Sequence, residues 1–194
     1  VVLWTHVASA DAQASGTWEV ATTADFDTIV SSGAFTTDAS EDYTVKVIAD
    51  GLEAGTEYFY RFHYNDDVSD VGRTKTLPTA DSLGADGSVS MGIFSCANYP
   101  AGYFHPYAEA AANNYDVLVH LGDSIYEYAP GGYASDLAEQ LGRVVEPASE
   151  LFTLDDYNDR YAQYTTDADW QAARASAPLI MMWDDHETAN DAYQ

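Results

Sequence analysis

Past residue 87, three short apolar runs alternate with segments of helical periodicity. VSMGIFSC is followed by HPYAEAAANN, then YDVLVHLGD, then TLDDYNDRYAQYTTD and ADWQAARASA, and finally PLIMMWDD. Leu154, Tyr157, Tyr161 and Tyr164 recur at 3-4 spacing, the stripe that an amphipathic helix buries. A strand–helix–strand–helices–strand order implies a parallel sheet with crossover helices. In such sheets ligands bind at the carboxyl ends of the strands, so the residues just after each apolar run matter most.

Residues 1–78 follow a different pattern. VVLWTHV, GTWEVAT, YTVKVIA, TEYFYRFHY and VGRTKTLP are short, rich in β-branched and aromatic residues, and separated by turn signals. Tyr58, Tyr60, Phe62 and Tyr64 share one face at period two. The lead-in DGLEAGTEY places a turn before Tyr58, which suits a tyrosine corner whose hydroxyl bonds back to upstream backbone. The expected architecture is multidomain: an all-β Fn3/Ig-like sandwich over 1–78, a small polar linker over 79–87, and an α/β unit over 88–194. No internal repeat is visible.

The charge balance narrows the partners. Seven Lys and Arg face 32 Asp and Glu, a net charge of −25. Nucleic acid and anionic membrane surfaces are bound by clustered cations, which this chain lacks. The acids are scattered and Lys is nearly absent, a composition expected of a halophilic protein whose self-repulsion salt would screen. One cysteine, Cys96, excludes an internal disulfide, and no stretch is long and apolar enough to span a bilayer. The chain starts in mid-strand and stops at NDAYQ, so a fragment is expected, with further site residues downstream and with apolar sheet surface left uncovered.

Each apolar run ends in a polar cluster: Ser95, Cys96 and Asn98; Asp123, Tyr126 and Glu127; Asp184, Asp185, His186 and Glu187. Neighbouring strands lie about 4.8 Å apart, so these clusters converge into one pocket. Carboxylates and an amide oxygen suit hard cations such as Ca²⁺, while thiolate and phenolate suit iron. Without a cation, the gathered carboxylates would raise one another's pKa. Taken singly, Cys96 reads as a small buried hydrophobe, Tyr126 as core, Asp123 as a turn cap and His120 as a structural histidine. His6, His63 and His105 belong to no cluster. WDDHE has no simple packing role.

VVLWTHV, GLEAGTEYFYRF, GRTKTLP, FSCANY, HLGDSIYEY, LDDYNDRYAQYTTDADWQ and PLIMMWDDHE together resemble the PhoD-type alkaline phosphatases, calcineurin-like metallophosphoesterases. The resemblance runs in order along nearly the whole chain, and GDSIYEY and WDDHE are its specific motifs. It implies an N-terminal Fn3-like domain followed by the first part of a metallophosphoesterase domain, using Fe³⁺ and Ca²⁺ against a small phosphate-ester substrate, in a secreted or cell-surface protein. By motif it implies Cys96, Asp123 and Tyr126 as iron ligands, Asp123 bridging to calcium, and Asp185 as a second-metal ligand. It implies His186 near the phosphate and Asn98 as a phosphate or metal contact. The chain departs from the family in having His6 where an Arg is common, and in having few Arg around DDYNDRYAQYTTD.

Two other readings are possible from the residues. A cysteine hydrolase with Cys96 as nucleophile and His186 as base leaves Asp123, Tyr126 and Asp185 without work. A calcium-stabilised adhesion module fits the acidity and the β-rich half, but not three strand-end clusters.

Overall fold

The computed structural model describes residues 1–81 and 88–192. The chain divides into two compact units, Val1–Val89 and Ser90–Gln194. Residues 82–87 of the expected linker lie outside the described part.

In the first unit β1 (Val2–His6) pairs antiparallel with β4 (Thr44–Ile48). A second antiparallel sheet orders β3 (Ile29–Thr37), β2 (Ala14–Ala21), β5 (Glu57–Tyr64) and β6 (Asp67–Val68), with β7 (Gly72–Lys75) also on β5. Leu3 and Val45 from the first sheet join Trp18, Val20, Phe35, Tyr58 and Phe62 from the second in one core. Period two along β5 delivers this: Tyr58 and Phe62 are buried, and Tyr60 and Tyr64 pack against the same core. Phe35 meets Phe62 edge-on at 6.1 Å. On β2 and β5, Glu19 holds Arg61 at 2.9 Å, and Arg61 lies 4.0 Å over the Phe26 ring. The Tyr58 hydroxyl accepts the Glu53 N–H at 2.9 Å, the backward bond that the turn before it predicted.

β3 is absent from the sequence-based strand assignment. Its centre, SSGA, has no strand-forming signature, and Gly33 is required there because a Cβ would stand 2.9 Å from the Trp18 ring.

In the second unit β8 (Met91–Phe94), β9 (Val117–His120) and β10 (Leu179–Met181) form a parallel sheet in the order β10-β9-β8. The register sets Phe94, His120 and Met181 side by side at the carboxyl ends. Four helices accompany it: α1 (His105–Ala112), α2 (Ala138–Leu141), α3 (Leu154–Thr165) and α4 (Ala168–Ser176). α2 was not anticipated. A capping box starts α3, with Thr153 and Asp156 each satisfying the other's backbone N–H. Asp167 caps α4 through the Asp169 and Trp170 N–H groups, and its other oxygen takes Arg143 at 2.6 Å.

One core gathers Leu118, Phe104, Tyr107, Ala110, Tyr164, Trp170 and Ala173. Tyr107 and Trp170 meet at 4.5 Å, which joins α1 to α4. On the alternate positions of the same strands, Met91, Ile93 and Ile180 are 54%, 60% and 59% exposed. One side of the parallel sheet is therefore bare and apolar within the chain, as expected from the sequence, although parallel sheets bury both faces.

Candidate active site at three strand ends

The loops leaving β8, β9 and β10 are stitched into one surface. The Cys96 N–H donates to the Gly122 carbonyl at 3.2 Å, and the Ala97 N–H to the Asp123 carbonyl at 2.8 Å. Cys96 and Asp123 both hold positive φ, 61° and 54°, a region that non-glycine residues visit mainly where surroundings enforce it. Gly122 has φ 105°, and a Cβ there would stand 2.5 Å from the Asp184 nitrogen. Only glycine lets the β10 loop come this close.

Glu187 closes the third side. Its carboxylate accepts the N–H groups of Asp123 (3.0 Å) and Asp184 (2.8 Å), the N–H of Ser124, and the Ser124 hydroxyl (2.8 Å). Burial pushes this carboxyl up, but the hydrogen bonds from Ser124, Asp184 and Asp123 together outweigh it and lower its pKa.

Among the described residues, one ligand atom each from Asp123, Asp185 and His186 lies within 4.8 Å of the others. Asp123 is buried, and its Oδ1 has no hydrogen-bond partner. Its Oδ2 accepts the Tyr126 hydroxyl at 3.2 Å. Burial first, and then the charges of Asp123 and Cys96, push the Tyr126 phenol well up, so Cys96 lies close enough to act on it. The strand ends thus gather one cluster around Asp123: Asp185 and His186 lie within ligand distance of it, Tyr126 bonds it and packs 4.2 Å from the His186 ring, and Cys96 stands beside Tyr126 but outside the Asp123–Asp185–His186 group. A buried carboxylate oxygen without a partner, beside a second carboxylate, an imidazole, a phenol and a thiol, is a donor set that fits cations. The Asp191 N–H donates to Asp185 and lowers its pKa, more than burial raises it.

Asn98 is buried beside this surface. Its Nδ2 donates to the Tyr133 carbonyl at 3.0 Å, while its Oδ1 has no partner. The Cys96 side chain is exposed, which overturns the reading of it as a buried hydrophobe. His120 is a structural histidine: it is fully buried, its Nδ1 accepts the Gly122 N–H at 3.3 Å, and its Nε2 meets the Tyr107 hydroxyl at 2.8 Å. Accepting at Nδ1 places the ring proton on Nε2 and leaves the imidazole neutral, and burial lowers its pKa accordingly. His105 stands apart from the site, 3.5 Å from Asp169.

Sequence reasoning assigned no role to Glu127, Glu187 or Arg160. Glu127 is 2% exposed and faces the His186 Nδ1 at 2.8 Å. Arg160 is fully buried and donates to the carbonyls of Tyr126, Tyr128, Glu146 and Pro147. The one available signal was that Glu127 and Glu187 sit inside GDSIYEY and WDDHE. Arg143 is also buried, donating to the Tyr99 carbonyl and lying 3.6 Å over its ring.

Residues 1–78 match the model of the PhoD-like phosphatase N-terminal domain, and residues 91–194 match that of PhoD-like phosphatase. The chain is 39% identical over 201 residues to alkaline phosphatase D of Bacillus subtilis (strain 168), covering 98% of this chain and 33% of the relative. A solved structure of PhoD superposes with a TM-score of 0.90 at 37% identity, covering 98% of this chain and 37% of that one. The chain therefore spans about a third of the length of the relatives it matches. With one family model covering its first 78 residues and another more than half of its length, the chain belongs to the PhoD-like phosphatase family.

Proposed function

We propose that this chain carries part of the active site of a metal-dependent hydrolase of phosphate monoesters, diesters or both. The observation that carries the reading is Asp123: a buried carboxylate with one oxygen unpartnered, within ligand distance of Asp185 and His186 and bonded by the Tyr126 hydroxyl. In this reading residues 1–78 are an Fn3/Ig-like sandwich, 79–87 a linker, and 88–194 the first part of a metallophosphoesterase domain. The two antiparallel sheets around one core and the Tyr58–Glu53 bond favour that assignment. The protein would act outside the cell or at its surface; no described helix is long and apolar enough to cross a membrane.

Cys96, Asp123 and Tyr126 would hold Fe³⁺, and Asp123 with Asp185 would hold Ca²⁺. Once bound, such cations offset phosphoryl charge and lower the pKa of a nearby water so that a nucleophile exists at working pH. Glu187 fixes the backbone on which Asp123 and Asp185 stand. His186 would stabilise the charge that develops on the phosphoryl group. Asn98 would offer its buried, unpartnered Oδ1 to phosphate or metal. Arg143 is committed to the Asp167 carboxylate and the Tyr99 carbonyl, and Arg160 to backbone carbonyls, so the charge facing phosphate would come mainly from the cations.

The test is metal content and visible absorption of the intact protein carrying Tyr126→Phe, Cys96→Ser or Asp185→Asn. Tyr126→Phe should shift or bleach a phenolate-to-iron band, and Asp185→Asn should lower calcium and leave that band in place. An unchanged band and unchanged iron in Tyr126→Phe would remove Tyr126 from the ligand set.

A further inference from the structure

Glu127 is one of the most deeply buried side chains of its unit, and it is not in the group of residues suited to bind a cation. Its two oxygens are divided between two donors. Oε2 faces the His186 Nδ1 at 2.8 Å, and Oε1 accepts the Asn190 N–H at 2.7 Å. The segment around it is fixed from both sides. Arg160 donates to the carbonyls of Tyr126 and Tyr128, which flank Glu127, and the Leu151 N–H donates to the Glu127 carbonyl at 3.0 Å. The His186 ring lies 4.2 Å from the Tyr126 ring and 5.4 Å from the Tyr128 ring, so its plane is held as well.

We infer that Glu127 is a positioning residue: its carboxylate fixes the proton of His186 on Nδ1, leaving Nε2 as the nitrogen presented to Asp123, Asp185 and the substrate. The inference rests on the hydrolase reading and deepens it. A carboxylate cannot donate, so the nitrogen facing it must carry a proton. A ring nitrogen that is free of hydrogen is the one able to accept a proton or bind a cation, and its orientation is set by what the other nitrogen bonds. Arg160 acts one step further back by locking the backbone on either side of Glu127.

The substitution that separates orientation from bulk is Glu127→Gln. Glutamine has the same shape but only one accepting oxygen. Either its amide faces His186, which forces Nδ1 to accept and moves the proton to Nε2, or it faces the Asn190 N–H and loses that bond. The first readout is the tautomer of His186 in the intact, metal-free protein labelled with ¹⁵N-histidine, assigned by comparison with His186→Asn. The parent should show a protonated Nδ1; Glu127→Gln should move the proton to Nε2 where its amide faces His186, and should keep it on Nδ1 with the Asn190 N–H left unbonded where its amide faces Asn190. The second readout is steady-state kinetics on a chromogenic phosphate ester. kcat in Glu127→Gln should fall about 10- to 100-fold, the range for groups that orient a ligand, with KM changed less than about threefold. A parent His186 protonated on Nε2 alone would overturn the inference, as would a folded Glu127→Gln protein with kcat within about twofold of the parent. If Glu127→Gln does not fold, the parent tautomer still decides. A parent that hydrolyses no phosphate ester sinks the hydrolase reading, while the tautomer answers for Glu127 separately.

Discussion

Replacing Glu187 with alanine should damage the site more than any single ligand change, and by a mechanism that stability measurements can see. The carboxylate accepts three backbone N–H groups and one hydroxyl from two different loops. A buried donor left unpaired costs about 1–3 kcal/mol. The Asp123 N–H is buried and should lie near the top of that range, whereas Ser124 and Asp184 are partly open to water and should lie near the bottom. The sum is about 3–5 kcal/mol, a large share of the 5–15 kcal/mol typical of a domain. Equilibrium urea unfolding of the intact protein without metal would measure it, with amide exchange at Asp123 as the local probe. Glu187→Gln should fall between parent and alanine, because it keeps one accepting oxygen. The sign with pH follows from its lowered pKa: the stabilisation is present above about 4.5, the unfolded value, and is lost as pH falls through the lower folded value. Glu187→Gln should therefore flatten the acid limb of the stability curve. A loss below about 1 kcal/mol in Glu187→Ala would refute the clamp.

Arg160→Met should destabilise the second unit by about 3–5 kcal/mol, because buried carbonyls lose their shared donor, and chemical denaturation with an unchanged m-value would confirm it. Tyr58→Phe should cost about 1 kcal/mol in the first unit through the orphaned Glu53 N–H; no change in its unfolding midpoint would mean that water replaces the hydroxyl freely. With a net charge of −25, the unfolding midpoint should rise from low to multimolar KCl, and a flat dependence would defeat the halophile reading alone.

The strand-end clusters were legible because a buried parallel strand demands an uninterrupted apolar run, so the first polar residues after it stand out. Asp123, Tyr126, Asp185, His186 and Cys96 were singled out as candidates in this way, and the structure brings Asp123, Asp185 and His186 within ligand distance of one another. The signal weakened wherever the explanation was a distant partner. Glu127 and Glu187 act through residues 59 to 64 positions away, a pairing that no local spacing encodes. Arg160 sits on an amphipathic helix where an arginine ordinarily marks the solvent side, yet it is fully buried because four carbonyls converge on it. β3 was missed because its strand formers, Ile29, Val30 and Phe35 to Thr37, are interrupted by SSGA, and the strand is completed by its long antiparallel pairing with β2. Cys96 is exposed and held at positive φ, neither of which its sequence neighbours announce.

The central claim is that Asp123 anchors cations for phosphate-ester hydrolysis. The direct measurement is turnover of a chromogenic phosphomonoester and a phosphodiester by the intact protein, before and after chelation and with iron and calcium restored, in parent and Asp123→Asn. The account predicts that turnover falls on chelation, returns with the metals, and is lost by at least about 10²-fold in Asp123→Asn without loss of fold. Turnover that survives chelation, or that Asp123→Asn retains at parental level, would contradict it.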